Sequence, residues 1–466
     1  MSEETLLREL LKEKNITFLF GAGASAPFFS SLGNFENLLT HNNISTDGEK
    51  FIKSIFFEQA IKDNSYLQNY LDKKCYCGAK AASMDSILSE YTRFIHNILE
   101  YLKYRNSRVS PKRANIVTTN YDLFFEAAID DMLYKNPRLF FNDGTNGYTR
   151  KILNTDNFNK TLLFSGVFDN YSNELPALNL IKCHGSINWV ELPMTADTKA
   201  CMQVLTRSKI LEQNKHIETL LSNINNSIDE IKGSLHTNIN SYSDLLRLMH
   251  ENITSGLLED INTIAGHVTS ELKIMSENME QMQIVFPTKK KFENTLIQEH
   301  FFSMLRLLSY ELEKKQSALI VFGFSFYDEH ITEVVQRSLN NPGLIVIIVC
   351  YTNASKREII SNFNFFHDSA PQNIHFIVPD NFLVEEISTQ EYDEKYNNTT
   401  INKNFKFFDD GDTKKVYTNI VDTVKNTDGS TFPVLNFSSF NKILEEDILD
   451  KYEPTIIQED KDNDGE

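Results

Sequence analysis

At 466 residues, 41% hydrophobic and 11% aromatic, the chain is long enough for two or three domains and apolar enough to bury a core. Its net charge of −18, from 64 acidic against 46 basic residues, argues against non-specific binding to DNA or to anionic membranes, since a phosphate backbone needs a basic counterpart. The densest basic run, Lys289 to Lys291, reads as a solvated turn.

The opening "MSEETLLRELLKEKN" is charged and has no apolar stretch of signal-peptide type. An apolar run at 16–20 then leads into "GAGASA", with Gly21, Gly23 and Ala26 at the three places of a G-x-G-x-x-G/A fingerprint. This predicts a strand that turns sharply into a helix, whose free N–H groups would favour a phosphate. Residues 34–111 follow as a helical insertion; "MDSILSEYTRFIHNILEYLKY" carries apolar residues at helical spacing. The run at 115–118 ends in Thr118, Thr119, Asn120, Tyr121 and Asp122, and the run at 179–183 ends in His184, Gly185, Ser186 and Asn188. Residues 201–281 repeat apolar positions every three or four residues, which predicts a second helical insertion: either a helix pair that would cap the site or build an oligomer interface, or a helical layer packed on the sheet. A fourth strand at 318–322 leads to Gly323, Ser325, Asp328 and His330. The runs at 344–350 and 374–378 complete the set, and the first is too short to span a bilayer.

Strands alternating with helices predict an α/β fold: a doubly wound, mostly parallel, Rossmann-like sheet with large helical insertions. The sheet core is expected at about 15–33, 112–195 and 282–380, within one domain covering 1–380. Residues 381–466 are expected to form a small C-terminal extension with a disordered acidic tail. The five cysteines, at 75, 77, 183, 201 and 350, include no C-x-x-C pair, so no four-thiolate zinc site is expected and the thiols read as reduced in a cytoplasm.

In a dinucleotide-binding dehydrogenase an acidic strand end should follow the glycine turn by about 20 residues. The sequence there is "NLLTHNNISTDGEKF", polar and turn-like, which speaks against hydride transfer. Each remaining motif also has a plain structural reading. Asn120 or Asp122 could cap a helix, the His184–Gly185 pair could be a simple turn, and Phe28–Phe29 could anchor in the core or cover a ligand. Carboxyl ends of parallel strands nevertheless converge on one crevice, and four polar, glycine-marked ends on one sheet point to a common site.

In order, G-A-G-x-S (Gly21 to Ser25), T-x-N-x-D (Thr118 to Asp122), His184–Gly185 and G-x-S (Gly323 to Ser325) resemble the sirtuin-like superfamily of NAD-consuming enzymes. "VTTNYD", "HGSINW", "FPTKKK" and "GFSFYDEHI" look like its bacterial anti-phage defence branch. The resemblance implies that Gly21, Ala22, Gly23 and Ser25 line the pyrophosphate of NAD, with Thr118, Thr119 and Gly185 in the same binding site. It implies that Asn120 and Asp122 sit by the nicotinamide ribose and amide, that His184 is the catalytic histidine, and that Gly323 and Ser325 touch the adenosine end. The cysteine pairs of zinc-containing deacylases are missing, and "PFFSSLGNFENLL" replaces their usual loop, which leaves water as the acceptor. The implied activity is a hydrolase, an NAD glycohydrolase that depletes NAD in abortive infection, with NAD as substrate and no metal. The implied partners are further copies of the chain and a HerA-like hexameric ATPase, with no membrane and no sequence-specific nucleic acid. The competing readings are a non-catalytic module that binds NAD or ADP-ribose, and an NAD-dependent deacylase or ADP-ribosyltransferase.

Overall fold

The computed structural model describes residues 14–29, 35–39, 41–74, 77–105, 111–168, 171–193, 201–251, 253–286, 299–363, 365, 371–388, 391–392, 396, 405–410, 413–425 and 429–449. The Lys289 to Lys291 run, Cys75 and the acidic tail lie outside them.

Seven strands form the central sheet: β1 (Asn15–Phe20), β2 (Arg113–Thr118), β3 (Phe140–Asn142), β4 (Ala177–Lys182), β5 (Ser317–Phe322), β6 (Leu344–Val349) and β7 (Ile374–Ile377). Every pairing is parallel, and the spatial order is β7-β6-β5-β1-β2-β4-β3. Six of the seven coincide with the apolar runs predicted above. The seventh, β3, is only Phe-Phe-Asn and too short to show a period.

The near-continuous apolar character of β1, β5 and β6 has a direct cause: both faces of the sheet are covered. Phe18, Phe20, Ile116, Leu180 and Phe322 pack with the helices Ala79–Tyr104, Phe124–Lys135 and Phe437–Leu449. Leu19, Val117, Ile181 and Val321 pack on the opposite face with the helices Glu299–Leu312, Glu329–Ser338 and Asn353–Asn362. The fold is therefore a doubly wound, Rossmann-like α/β sandwich.

One buried polar row crosses this second face. Asn142 donates to Asn179 (3.0 Å), Asn179 to Asn115 (2.8 Å) and Asn115 to Thr17 (3.4 Å), and these four residues are register partners on β3, β4, β2 and β1. A slip of one residue would bury these amides without partners, so the row pins the register of four strands.

The second insertion is helical as expected except at its start. Cys201–Val204 is a strand paired antiparallel with Trp189–Leu192, and the helices begin only at Asn214. Four α-helices follow among the described residues: Asn214–Ile231, Tyr242–His250, Ser255–His267 and Thr269–Met279. They share one apolar core with the helix Thr46–Phe56 of the first insertion, through Phe51, Ile55, Ile261 and Leu272. Asn262 accepts from the Ser45 N–H and donates to the Asn43 carbonyl, and Tyr242 bonds Glu58. Two insertions far apart in sequence thus form one helical layer, because neither could bury its apolar stripe alone.

The C-terminal extension returns to the core. Phe437 and Phe440 join Phe20, Phe94 and Phe322 in an aromatic cluster, and Glu445 pairs with Arg93. No helix among the described residues is long and apolar enough to cross a membrane.

Candidate functional site

The chain leaves β1 towards β2 on one side and later adds β5 on the other, so β1 marks the topological switch point where open α/β sheets bind ligands. The loops after β1 and β5 interlock there. The Gly23 N–H donates to the Gly323 carbonyl (2.9 Å), and the Gly21 N–H to the Phe322 carbonyl (3.1 Å). A Cβ on Gly21 would lie 2.5 Å from the Gly323 oxygen, and one on Gly323 would lie 2.5 Å from the Ala24 nitrogen. Gly323 also has φ +65, a conformation only glycine adopts without cost. These glycines are explained by backbone against backbone.

The helix expected directly after the glycine turn is absent. Ala22–Ala24 make a single 3-10 turn, and the chain then passes through a cis Ala26–Pro27 bond. Proline lacks an N–H and disfavours a helical residue before it, so the turn cannot continue as an α-helix. The N–H groups of Gly21, Gly23, Ala24 and Ser25 all bond within the protein, and that of Ala22 is not among these bonds. Ala22 and Gly23 form the exposed rim of the loop. Phe28 and Phe29 are buried against Phe124, which settles them as core anchors.

Ser25 lies beneath the loop at 1% exposure, where its hydroxyl donates to Asp122 (2.7 Å) and accepts from Asn120 Nδ2 (3.1 Å). Tyr91 OH stands 2.8 Å from the same oxygen. A hydroxyl has one proton and two lone pairs, so with its proton on Asp122 it accepts from both Asn120 and Tyr91. Burial, then the charge of Asp122, pushes the Tyr91 phenol well above its usual range, which keeps it a donor. Ser25 is therefore saturated, and it fixes Asn120 more than it offers itself to a ligand. Asp122 is spent as well: its second oxygen takes the N–H of Phe124 (3.1 Å), the first residue of the helix Phe124–Lys135, from one position before the N-cap residue Leu123.

Thr118 is buried and its hydroxyl accepts from the Asn120 N–H (3.0 Å), while the half-buried Thr119 donates its N–H to the Phe20 carbonyl. Both hold the turn onto the sheet. Below it, Lys182 at the end of β4 is 2% exposed. Its ammonium donates to the Asp122 carbonyl and to Ser186 (2.9 Å), and pairs with Glu126 (2.6 Å). Burial raises the carboxyls of both Asp122 and Glu126, opposed by the Lys182 charge. One ammonium thus ties the Asn120 turn to the His184 turn.

Thr118 and Lys182 are register partners, so Asn120 and His184 both lie two residues beyond a paired position on neighbouring strands. His184 Nε2 lies 3.2 Å from Asp328 Oδ2, and Asp328 uses Oδ1 to cap the helix Glu329–Ser338. This contact joins the ends of β4 and β5, which flank β1 and β2 in the sheet, so it passes over both. Phe326, buried and at φ +59, bends the chain between Gly323 and Asp328; a bulky residue in that region is held there by its surroundings. Gly185, at φ +82, lets the His184 turn lie against Gln283 and Ile284. Ser325 is exposed, with its carbonyl taken by Asn362 (2.9 Å).

The strand-end motifs therefore meet at one end of one sheet. Tyr91, Lys182, Glu126 and the partner role of Asp328 have no counterpart among the sequence motifs; only the S-F-Y-D-E run, with an Asp set to cap a helix, carries any signal of them. Among the described residues no group of three or more His, Cys, Asp or Glu is placed to hold a metal ion. Comparison with models of known protein families gives no match, and comparison with curated proteins gives none.

Proposed function

We propose that the protein is a sirtuin-like NAD glycohydrolase that acts as an NAD-depleting effector of anti-phage defence. The observation that carries the reading is the Asn120–Ser25–Asp122 network beside a His184–Asp328 pair, on adjacent strand ends at a switch point. NAD lies with its pyrophosphate along the exposed Ala22–Gly23 rim and its nicotinamide ribose between Asn120 and His184. The bond between ribose C1′ and the nicotinamide nitrogen breaks, its electron pair leaves with neutral nicotinamide, and a water oxygen bonds to C1′. The water proton passes to His184, whose Nε2 lies 3.2 Å from Asp328 Oδ2. Asn120 holds the ribose or the water by hydrogen bonds without adding charge. Positioning of this kind is worth several kcal/mol of barrier, about 7–11 at its best.

The test is nicotinamide release from NAD by purified protein, alone and with extract from phage-infected cells. Release by wild type and its loss in Asn120→Ala and His184→Ala support the reading. A second reading, a non-catalytic module for NAD or ADP-ribose, is favoured by the saturation of Ser25 and Asp122. NAD binding without release under any of these conditions selects the module.

A further inference from the structure

The opposite end of the same sheet carries a second feature. A cavity of about 420 Å³ opens at the amino ends of β2, β4 and β3, next to Lys112, Pro176 and Leu139, which precede those strands by one residue each. Lys103, Lys112, Lys135 and Arg138 converge on it, in a chain whose net charge is −18. Their charges are poorly compensated. Lys103 pairs with Glu100 (2.6 Å), but among the described residues no carboxylate forms an ion pair with Lys112, Lys135 or Arg138. Glu174 also lines the cavity, with one oxygen turned to the Lys112 backbone N–H (3.1 Å). Phe164, under the Arg138 guanidinium at 5.0 Å, and Leu99 add apolar wall.

We propose that this cavity binds a phosphorylated small organic molecule of mononucleotide size. Uncompensated Lys and Arg charges suit phosphate oxygens, which take charge-assisted hydrogen bonds from both. The apolar wall requires an organic part beyond the phosphate. The volume falls in the usual range for small-molecule sites, roughly 300–1,000 Å³. A nucleic acid would have to approach across a strongly acidic molecule, whereas a small anion meets only the local field. The site is separate from the one at the carboxyl ends and does not depend on what that one does.

The test is calorimetric titration of the full chain with ADP and with inorganic pyrophosphate. Wild type is expected to bind ADP more tightly than pyrophosphate, and more weakly as salt rises. Lys135→Glu/Arg138→Glu is expected to weaken ADP binding at least tenfold per charge removed, about a hundredfold in all. Lys135 is exposed at the end of its helix, so Lys135→Gln serves as a milder variant if the double reversal fails to fold. No ADP binding by wild type, or binding unchanged in the variants, overturns the proposal. Equal affinity for pyrophosphate and ADP overturns its organic part. ADP can also occupy the site at the carboxyl ends, so the loss in the Lys135 and Arg138 variants, which line only this cavity, is what reads it, and nicotinamide release reads the other end separately.

Discussion

The two ends of the sheet solve opposite problems. At the carboxyl ends, loops from β1, β2, β4 and β5 lock into each other through backbone contacts, a saturated serine and a buried ammonium. At the amino ends, Lys112, Lys135 and Arg138 stand around an open cavity with no ion-pair partner among the described residues, beside a Lys103 paired with Glu100. Geometry at the first end is stiff and its charges are matched; at the second, charge is held in reserve on exposed side chains. A substitution should therefore cost stability at one end and affect only ligands at the other.

The largest expected effect is at Lys182. Lys182→Met leaves the half-buried Glu126 and the buried Asp122 carbonyl without their cation, and should cost about 3 kcal/mol in denaturant unfolding. Adding Glu126→Gln should return part of that loss, and strict additivity in the double-mutant cycle would show that the two do not act as a pair. Gly323→Ala comes next, at about 3 kcal/mol, from the clash with Ala24 and the positive φ. Gly233, where an added Cβ would meet nothing within 4 Å, is the control: Gly233→Ala should change stability by no more than about 0.5 kcal/mol. Similar costs at both glycines would mean the interlock is soft.

Asp328→Asn separates chemistry from folding. Asparagine caps a helix about as well as aspartate, so the unfolding midpoint should hold. Under the NAD reading, nicotinamide release should fall about 10- to 100-fold as His184 loses its anionic partner. An unchanged rate would remove Asp328 from the mechanism.

The carboxyls of buried Asp122 and half-buried Glu126 set a pH dependence. Asp122 and Glu126 have folded pKa values raised above the unfolded ones by burial, so between the two the native state holds more protons. Their contribution is fully present below the unfolded carboxylate pKa and is lost as pH rises through the folded one. Glu126→Gln should flatten the fall in stability measured from about pH 4 upward; a profile identical to wild type would exclude Glu126. The smallest effect belongs to the amino end: Lys135→Glu should move stability by no more than about 0.5 kcal/mol and leave nicotinamide release unchanged.

Much of this is legible in the chain. Strands buried on both faces announce themselves as apolar runs, so six of the seven are readable, and the polar strand ends follow directly from where each run stops. β3 is not, because three residues carry no period and its Asn142 looks like loop until Asn179 is beside it. The glycine fingerprint calls for a helix that Pro27 opposes, and in the fold the proline prevails. The second insertion reads as helical throughout because the short strand Cys201–Val204 gains its identity only from its partner Trp189–Leu192.

By itself the sequence determined the parallel α/β sheet and the four strand-end motifs, since hydrophobic period and glycine placement are local properties written along the chain. Tertiary structure alone decided what those motifs touch. Tyr91 reaches Ser25 across 66 positions, Lys182 joins two turns, and the loop after β5 carries Asp328 to His184. Contacts between residues so far apart depend on strand order and crossing geometry, for which no local pattern carries a signal. The cleft at the amino ends arose the same way: its cations lie singly in the sequence and gather only where three strands begin.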